Sequence, residues 1–198
     1  MKSIMSIKRT FIILAALLAC GIIIFLVYLW VMPSESHTSR LAEEQSIYST
    51  IINGPVALEE KTSLGFANLS GIDFEYLKNG LPELQEETWL DFQKSNKESY
   101  PIKDYLSPSS SFVLLSDTEA QIYQDGWKTF YKDYPAAYGI IALSRIGFNS
   151  SFSQALVLKG YYGGSTTGDE SYTDGRFIFL QKIHGTWTMA GELIAWIS

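Results

Sequence analysis

The stretch Phe11–Met32, FIILAALLACGIIIFLVYLWVM, has 22 residues with no charge, no proline and one glycine. A run of that length and apolarity is long enough to cross a bilayer core as a single helix. The basic residues near it, Lys2, Lys8 and Arg9, all precede it. The excess of positive charge on that side places the N-terminus in the cytoplasm and the rest of the chain outside. Residues 1–32 therefore read as a cytoplasmic tip and a single-pass anchor in the cell membrane. Tyr28 and Trp30 stand where interface aromatics belong. A cleaved signal peptide would have a shorter apolar run followed by a small-residue site, and neither is present. Leu17-Leu18-Ala19-Cys20-Gly21 has the outline of a bacterial lipobox. Cys20 is read instead as an ordinary membrane-helix cysteine, because a chain lipidated there would begin with about a dozen more apolar residues.

Beyond the anchor lie residues 33–39, a polar linker (PSESHTS), and residues 40–198, enough for one domain with its own core. The chain has 15 Lys+Arg and 21 Asp+Glu. Three of the basic residues belong to the anchor and none of the acidic ones does, so the outer part is near −9. Such a surface repels nucleic acid and anionic lipid heads, and no nucleic-acid partner is expected. The single cysteine, Cys20, leaves the outer part without disulfides, thiolate nucleophiles or Cys-based metal sites.

Arg40 to Ile52 reads as a helix stopped by Asn53-Gly54-Pro55. Val56 to Ser70 could hold one or two short strands. Pro82 to Ser95 reads as a helix, with Leu81, Leu84, Trp89, Leu90 and Phe92 on its apolar side. Phe112 to Leu115 reads as a short strand. Ser116-Asp117-Thr118-Glu119 is a capping-box pattern opening a helix whose Ala120, Tyr123, Trp127, Phe130 and Tyr134 form one aromatic stripe, suited to packing on a sheet. From Gly139 the period changes to 2, and four strands follow: 139–148, 155–162, 176–183 and 186–197. His184-Gly185 alone separates the last two, which predicts a two-residue hairpin loop. Counting outward, Ile183 faces Thr186, Lys182 faces Trp187 and Leu180 faces Met189. The expected fold is α+β: helices on one face of a curved antiparallel sheet that ends in a four-strand meander.

The chemistry is narrowed mainly by what is scarce. The two histidines are His37, in the linker, and His184, in the hairpin turn, so sites built on a histidine base or histidine-bound zinc are disfavoured. The run Gly163–Gly168 lacks the Gly-Lys-Ser/Thr ending of a phosphate-binding loop. Asp169–Gly175 is acidic but breaks the EF-hand order, and reads as a solvated hairpin loop. Glu43/Glu44, Glu59/Glu60 and Glu86/Glu87 are adjacent pairs that do not share a helix or strand face. No metal, cofactor or catalytic residue is assigned. Ser144 and Arg145 depart from the pattern, because they interrupt an apolar strand. A buried Arg145 must be paired, and Glu87 or Asp91 on the helix 82–95 is the expected partner. The functional reading of Ser144 and Arg145 is a binding site for an anion.

Two stretches, Glu87-Thr88-Trp89-Leu90-Asp91-Phe92 and Ser144-Arg145-Ile146-Gly147-Phe148-Asn149 followed by Gln154-Ala155-Leu156-Val157, together with Gly185-Thr186-Trp187, resemble a group of small bacterial proteins. The group is membrane-anchored or secreted and carries no assigned activity. The resemblance covers roughly residues 80–198 and implies a location in the bacterial envelope. The expectation is thus a membrane-anchored domain for binding, or for assembly with an envelope protein partner. The alternatives are an envelope hydrolase using carboxylates or a Ser/Lys pair, and a small-ligand pocket between the sheet and the helices.

Overall fold

The computed structural model describes residues 35–52, 54–63, 71–107, 112–124, 126–167 and 170–198. The anchor stretch 11–32 lies outside them, and among the described residues no helix is long and apolar enough to cross a membrane. The chain divides into two compact units, Met1–Ala42 and Glu43–Ser198. Of the first, only Glu35–Ala42 is described, and it is helical.

Helix α1 runs Glu35–Ile51. It begins before the expected start at Arg40, inside the stretch read as a linker, because nothing after Pro33 opposes a helix there. Within the second unit its buried stripe is Glu44, Ile47, Tyr48 and Ile51, at steps of three, one and three. One member of that stripe is a carboxylate. Two short helices and a strand follow: β1 (Ala57–Glu59), α2 (Phe74–Gly80) and α3 (Glu86–Ser95). Asp73 caps α2, its carboxylate accepting the Tyr76 N–H at 2.8 Å. α2 ends at Gly80, and the helix expected from Pro82 starts at Glu86.

β2 (Val113–Leu115) leads into α4 (Asp117–Gln124) through the expected capping box. The Ser116 N–H donates to Glu119 Oε2 at 2.9 Å, and the Glu119 N–H returns to Ser116 Oγ at 3.3 Å. The single aromatic helix of the sequence reading is two helices, since α5 (Trp127–Asp133) starts anew after Gly126. The aromatic stripe survives the break: Trp127 and Phe130 pack with Ala120, Leu115 and Ile140.

The remaining strands are β3 (Ile140–Leu143), β4 (Gly147–Phe148), β5 (Gln154–Gly164), β6 (Ser171–Ile183) and β7 (Thr186–Ile197). They form one mixed sheet in the order β2-β1-β3-β5-β6-β7, with β4 also on β5. The meander from β3 to β7 is antiparallel, as expected. The other end is not: β1 runs parallel to both β2 and β3. Parallel neighbours need long crossovers, which the helices between these strands supply. Three-residue strands carry too little periodicity to reveal this in the sequence.

Helices also cover both faces, not one. α1 packs on the face that carries Ile141, Leu143, Val157 and Ile178. α2 and α3 pack on the opposite face, over Ala142, Leu156, Leu158 and Phe177. The uninterrupted apolar runs 140–143, 155–158 and 177–180 are buried on both sides, the pattern of a strand sandwiched between layers.

The β6–β7 hairpin matches the counted register: Ile183 pairs with Thr186, Lys182 with Trp187 and Leu180 with Met189. His184 and Gly185 have φ of 51° and 81°, the two positive values of a type I′ turn. Gly185→Val should therefore cost about 1–3 kcal/mol, because a β-branched residue is strained there. His184→Asn should change stability by less than about 0.5 kcal/mol. Urea melts of the purified chain check both, and an unchanged midpoint for Gly185→Val would contradict the turn.

Candidate functional site

Ser144 and Arg145 sit where the fourth-from-last strand of the sequence reading breaks into β3 and β4. The break leaves peptide groups inside the molecule that must find partners. Side chains provide them. Tyr48 Oη donates to the Ser144 carbonyl at 2.7 Å. Ser144 Oγ, fully buried, accepts the Leu158 N–H at 2.8 Å, while the Ser144 N–H donates to the Leu158 carbonyl at 2.9 Å. The amide of Asn96 mimics a neighbouring strand: its Oδ1 accepts the Arg145 N–H at 2.7 Å and its Nδ2 donates to the Arg145 carbonyl at 3.0 Å. Ser144 is thus spent on the backbone and has no access to a ligand.

Arg145 is paired, its side chain 12% exposed, but with a different helix from the one expected. Its Nε and Nη2 donate to Glu44 Oε1 at 3.2 and 2.8 Å, and Nη1 donates to Tyr105 Oη at 2.8 Å. The guanidinium lies 3.9 Å from the Tyr105 ring centre and 4.9 Å from that of Tyr100. Burial opposes its charge, but Glu44 more than offsets this and holds its pKa above the ordinary arginine value. The expected partners do other work: Asp91 Oδ2 accepts the Phe148 N–H at 2.8 Å, and Glu87 accepts from Ser150 Oγ at 3.3 Å. The choice of helix 82–95 went wrong because it rested on acidity alone. Glu44 carried the better signal, standing in step with Ile47, Tyr48 and Ile51 on an apolar stripe. With Nε, Nη1 and Nη2 all engaged within the chain, Arg145 has little left to offer an anion.

Glu43, one residue back, points elsewhere. It accepts the Trp187 N–H at 2.6 Å and is bridged by Lys182. Lys182 Nζ also lies 5.4 Å from the Trp187 ring centre, the stacking expected from the hairpin register.

Residues 85–92 and 147–154 face each other across α3 and β4. The Gln154 carboxamide accepts the Gln85 N–H at the start of α3 (3.0 Å) and donates to the Glu83 carbonyl (3.0 Å). Asn149 Oδ1 takes the Ser153 and Gln154 N–H groups at 2.9 and 3.0 Å. Gly147 lets α3 approach, since a Cβ there would lie 2.4 Å from the Phe92 nitrogen. These residues clasp a helix to a sheet; none converges on an open cavity.

Two cavities among the described residues lie elsewhere, and the sequence pointed to neither. The larger, about 580 Å³, opens on the α1 face of β5–β7, beyond the last residue of α1. Lys159 and Arg176, cross-strand partners, stand in it with Asp174 and Glu192, and Ile178, Met189 and Ile197 supply apolar surface. Tyr161 stacks on Tyr172 at its side (5.7 Å), its hydroxyl donating to the Tyr138 carbonyl at 2.6 Å. Burial, then the Tyr172 hydroxyl, pushes the Tyr161 pKa up.

The smaller, about 400 Å³, lies by Glu59, Asp117 and Thr62. Burial, and then the charge of Asp117, pushes the Glu59 carboxyl up to about 7. Lys61 Nζ bonds Asp117 at 3.1 Å. Among the described residues no group of three or more His, Cys, Asp or Glu is placed to hold a metal ion. His184 is exposed at its turn, and the side chain of His37 lies outside the described ones.

No protein-family model, curated protein or solved structure matches the chain.

The Arg145–Glu44 pair predicts a strong coupling. Arg145→Met should destabilise by about 3–5 kcal/mol, because Glu44 is left buried without its counter-charge. Adding Glu44→Met should recover much of that loss. Additive losses in denaturant melts would show the two residues to be independent. Glu59 predicts a pH dependence of its own. Its carboxyl ionises near the ordinary 4.5 when unfolded and at about 7 when folded. Stability therefore falls as pH rises through that window, by at most about 3 kcal/mol. Glu59→Gln should stabilise the protein at pH 8 and change little at pH 4, as urea melts at the two pH values would read.

Proposed function

We propose that this protein is a single-pass membrane-anchored binding domain of the bacterial envelope, and that it holds a small ligand in the cavity beside Lys159. The anchor rests on the 22 apolar residues of Phe11–Met32 and the basic residues ahead of them. The envelope location rests on that anchor, on the acidic outer part and on the resemblance of residues 80–198. The observation that carries the binding reading is the cavity itself. At about 580 Å³ it falls within the range of small-molecule sites, and it pairs apolar walls with a few charged groups. A binding role suits the rest of the chemistry. Ser144 and Arg145, the residues that first drew attention, are consumed in holding the sheet to its helices.

Two measurements test this. Protease added to intact cells should remove the domain and leave a short membrane-embedded fragment; a soluble chain beginning after Met32 would overturn the anchor. A fragment library should contain compounds that raise the melting temperature of the whole chain, by about 5–10 °C at a hundredfold excess over Kd. Met189→Trp, which fills the cavity from a half-exposed position on β7, should abolish those shifts. Equal shifts in both proteins would place the binding elsewhere and end this reading.

A further inference from the structure

The charges of the larger cavity are unevenly matched. Arg176 takes both of its carboxylates: Nε donates to Asp174 Oδ2 at 2.6 Å, and Nη1 bridges to Glu192. Lys159, directly across the β5–β6 ladder, is left with a carbonyl. Its Nζ donates to the Ile51 oxygen at 3.1 Å, at the last residue of α1. That helix has no basic residue in its last turn, so Lys159 stands at the negative end of its dipole. An ammonium has three N–H donors. Among the described residues, Ile51 is the acceptor found for Lys159, which leaves two donors over. Burial accordingly lowers the Lys159 pKa, with Glu192 and Asp174 only partly opposing it from beyond Arg176. On the same face, Ile178, Met189 and Ile197 present apolar surface, and Met189 and Ile197 are 50% and 70% exposed.

We propose that the cavity binds an amphipathic monocarboxylate, its carboxylate accepting from Lys159 Nζ and its apolar body lying over Ile178, Met189 and Ile197. This rests on the reading of the cavity as the binding site. The chemistry selects the class. A neutral ligand can accept from Lys159 but leaves its charge unbalanced, and burying an uncompensated charge is costly. A cation meets Lys159 and Arg176 and finds both carboxylates already taken. A dianion such as a phosphate monoester brings a second negative charge beside Asp174 and Glu192. One carboxylate balances one ammonium, and such charge-assisted bonds are the strong ones. The apolar body would cover Met189 and Ile197, which now face water.

The test uses three probes of one shape: 4-phenylbutyrate, 4-phenylbutan-1-ol and 4-phenylbutylamine. Each is titrated calorimetrically into the whole chain in phospholipid nanodiscs, with empty nanodiscs subtracted. The acid should bind at least tenfold more tightly than the alcohol or the amine. Lys159→Met should bring acid and alcohol within twofold of each other, and Lys159→Arg should keep the preference for the acid. Equal binding of acid and alcohol by the unaltered chain would overturn the monocarboxylate class. That comparison needs no variant, so it stands even if Lys159→Met fails to fold. If all three bind alike and Met189→Trp removes them all, the cavity remains the site and only the ligand class fails. If none of the three binds, both readings fall.

Discussion

A strand that breaks inside a sheet exposes its peptide groups to an apolar interior, and in this domain the break between β3 and β4 sets the terms for everything around it. Water cannot reach the Ser144 carbonyl or the Arg145 peptide, so each must be met by a side chain. Tyr48 comes from α1, Asn96 from the end of α3, and Ser144 completes the ladder to β5 itself. One three-residue interruption thus ties together a helix on each face of the sheet. The Arg145 side chain reaches α1, where a carboxylate stands at the head of an apolar stripe. Neither charge is tolerable alone at that depth. Together with the two tyrosines they close the site, which is why a residue that looks like a receptor serves as a brace.

The same arrangement explains where the open space lies. Ile47, Tyr48 and Ile51 of α1 cover the half of the sheet face that carries Val157, Ile178 and Leu180. The helix then ends at Ile51, and the strands continue. Cross-strand pairs further along, Lys159 with Arg176 and Tyr161 with Asp174, line the cavity beyond that last residue. Residues in such positions must be polar or amphipathic, since water reaches them, yet they stand on a floor continuous with the core. A cavity with charged walls and an apolar base is the natural result. The terminating residue of α1 contributes its own carbonyl, and Lys159 answers the partial negative charge there.

The contact between α3 and the β4–β5 region is held in the same backbone-directed way. Thr88, Trp89, Asp91 and Phe92 on α3, and Gly147, Phe148, Asn149 and Gln154 beyond it, form one clasp of backbone-directed hydrogen bonds and close packing.

What the sequence by itself determined were the features set by near neighbours. The capping box at Ser116–Glu119 involves residues three apart, and the His184-Gly185 turn follows from two adjacent backbone conformations. The β6–β7 register is a matter of counting outward from that turn, so Lys182 had to meet Trp187. The apolar run 11–32 and the net charge of residues 33–198 are likewise local or summed properties. Tertiary structure alone decided the rest, because it joins residues far apart in the chain. Glu44 and Arg145 are 101 positions apart, and two helices offered carboxylates that spacing could not rank. The parallel pairing of β1 with β2 and β3 is carried by crossovers around strands of three residues. The cavity at Lys159 exists because α1 stops where it does over a sheet assembled from the other end of the chain. A helix end and a strand pair leave no joint trace in the sequence until folding brings them into contact.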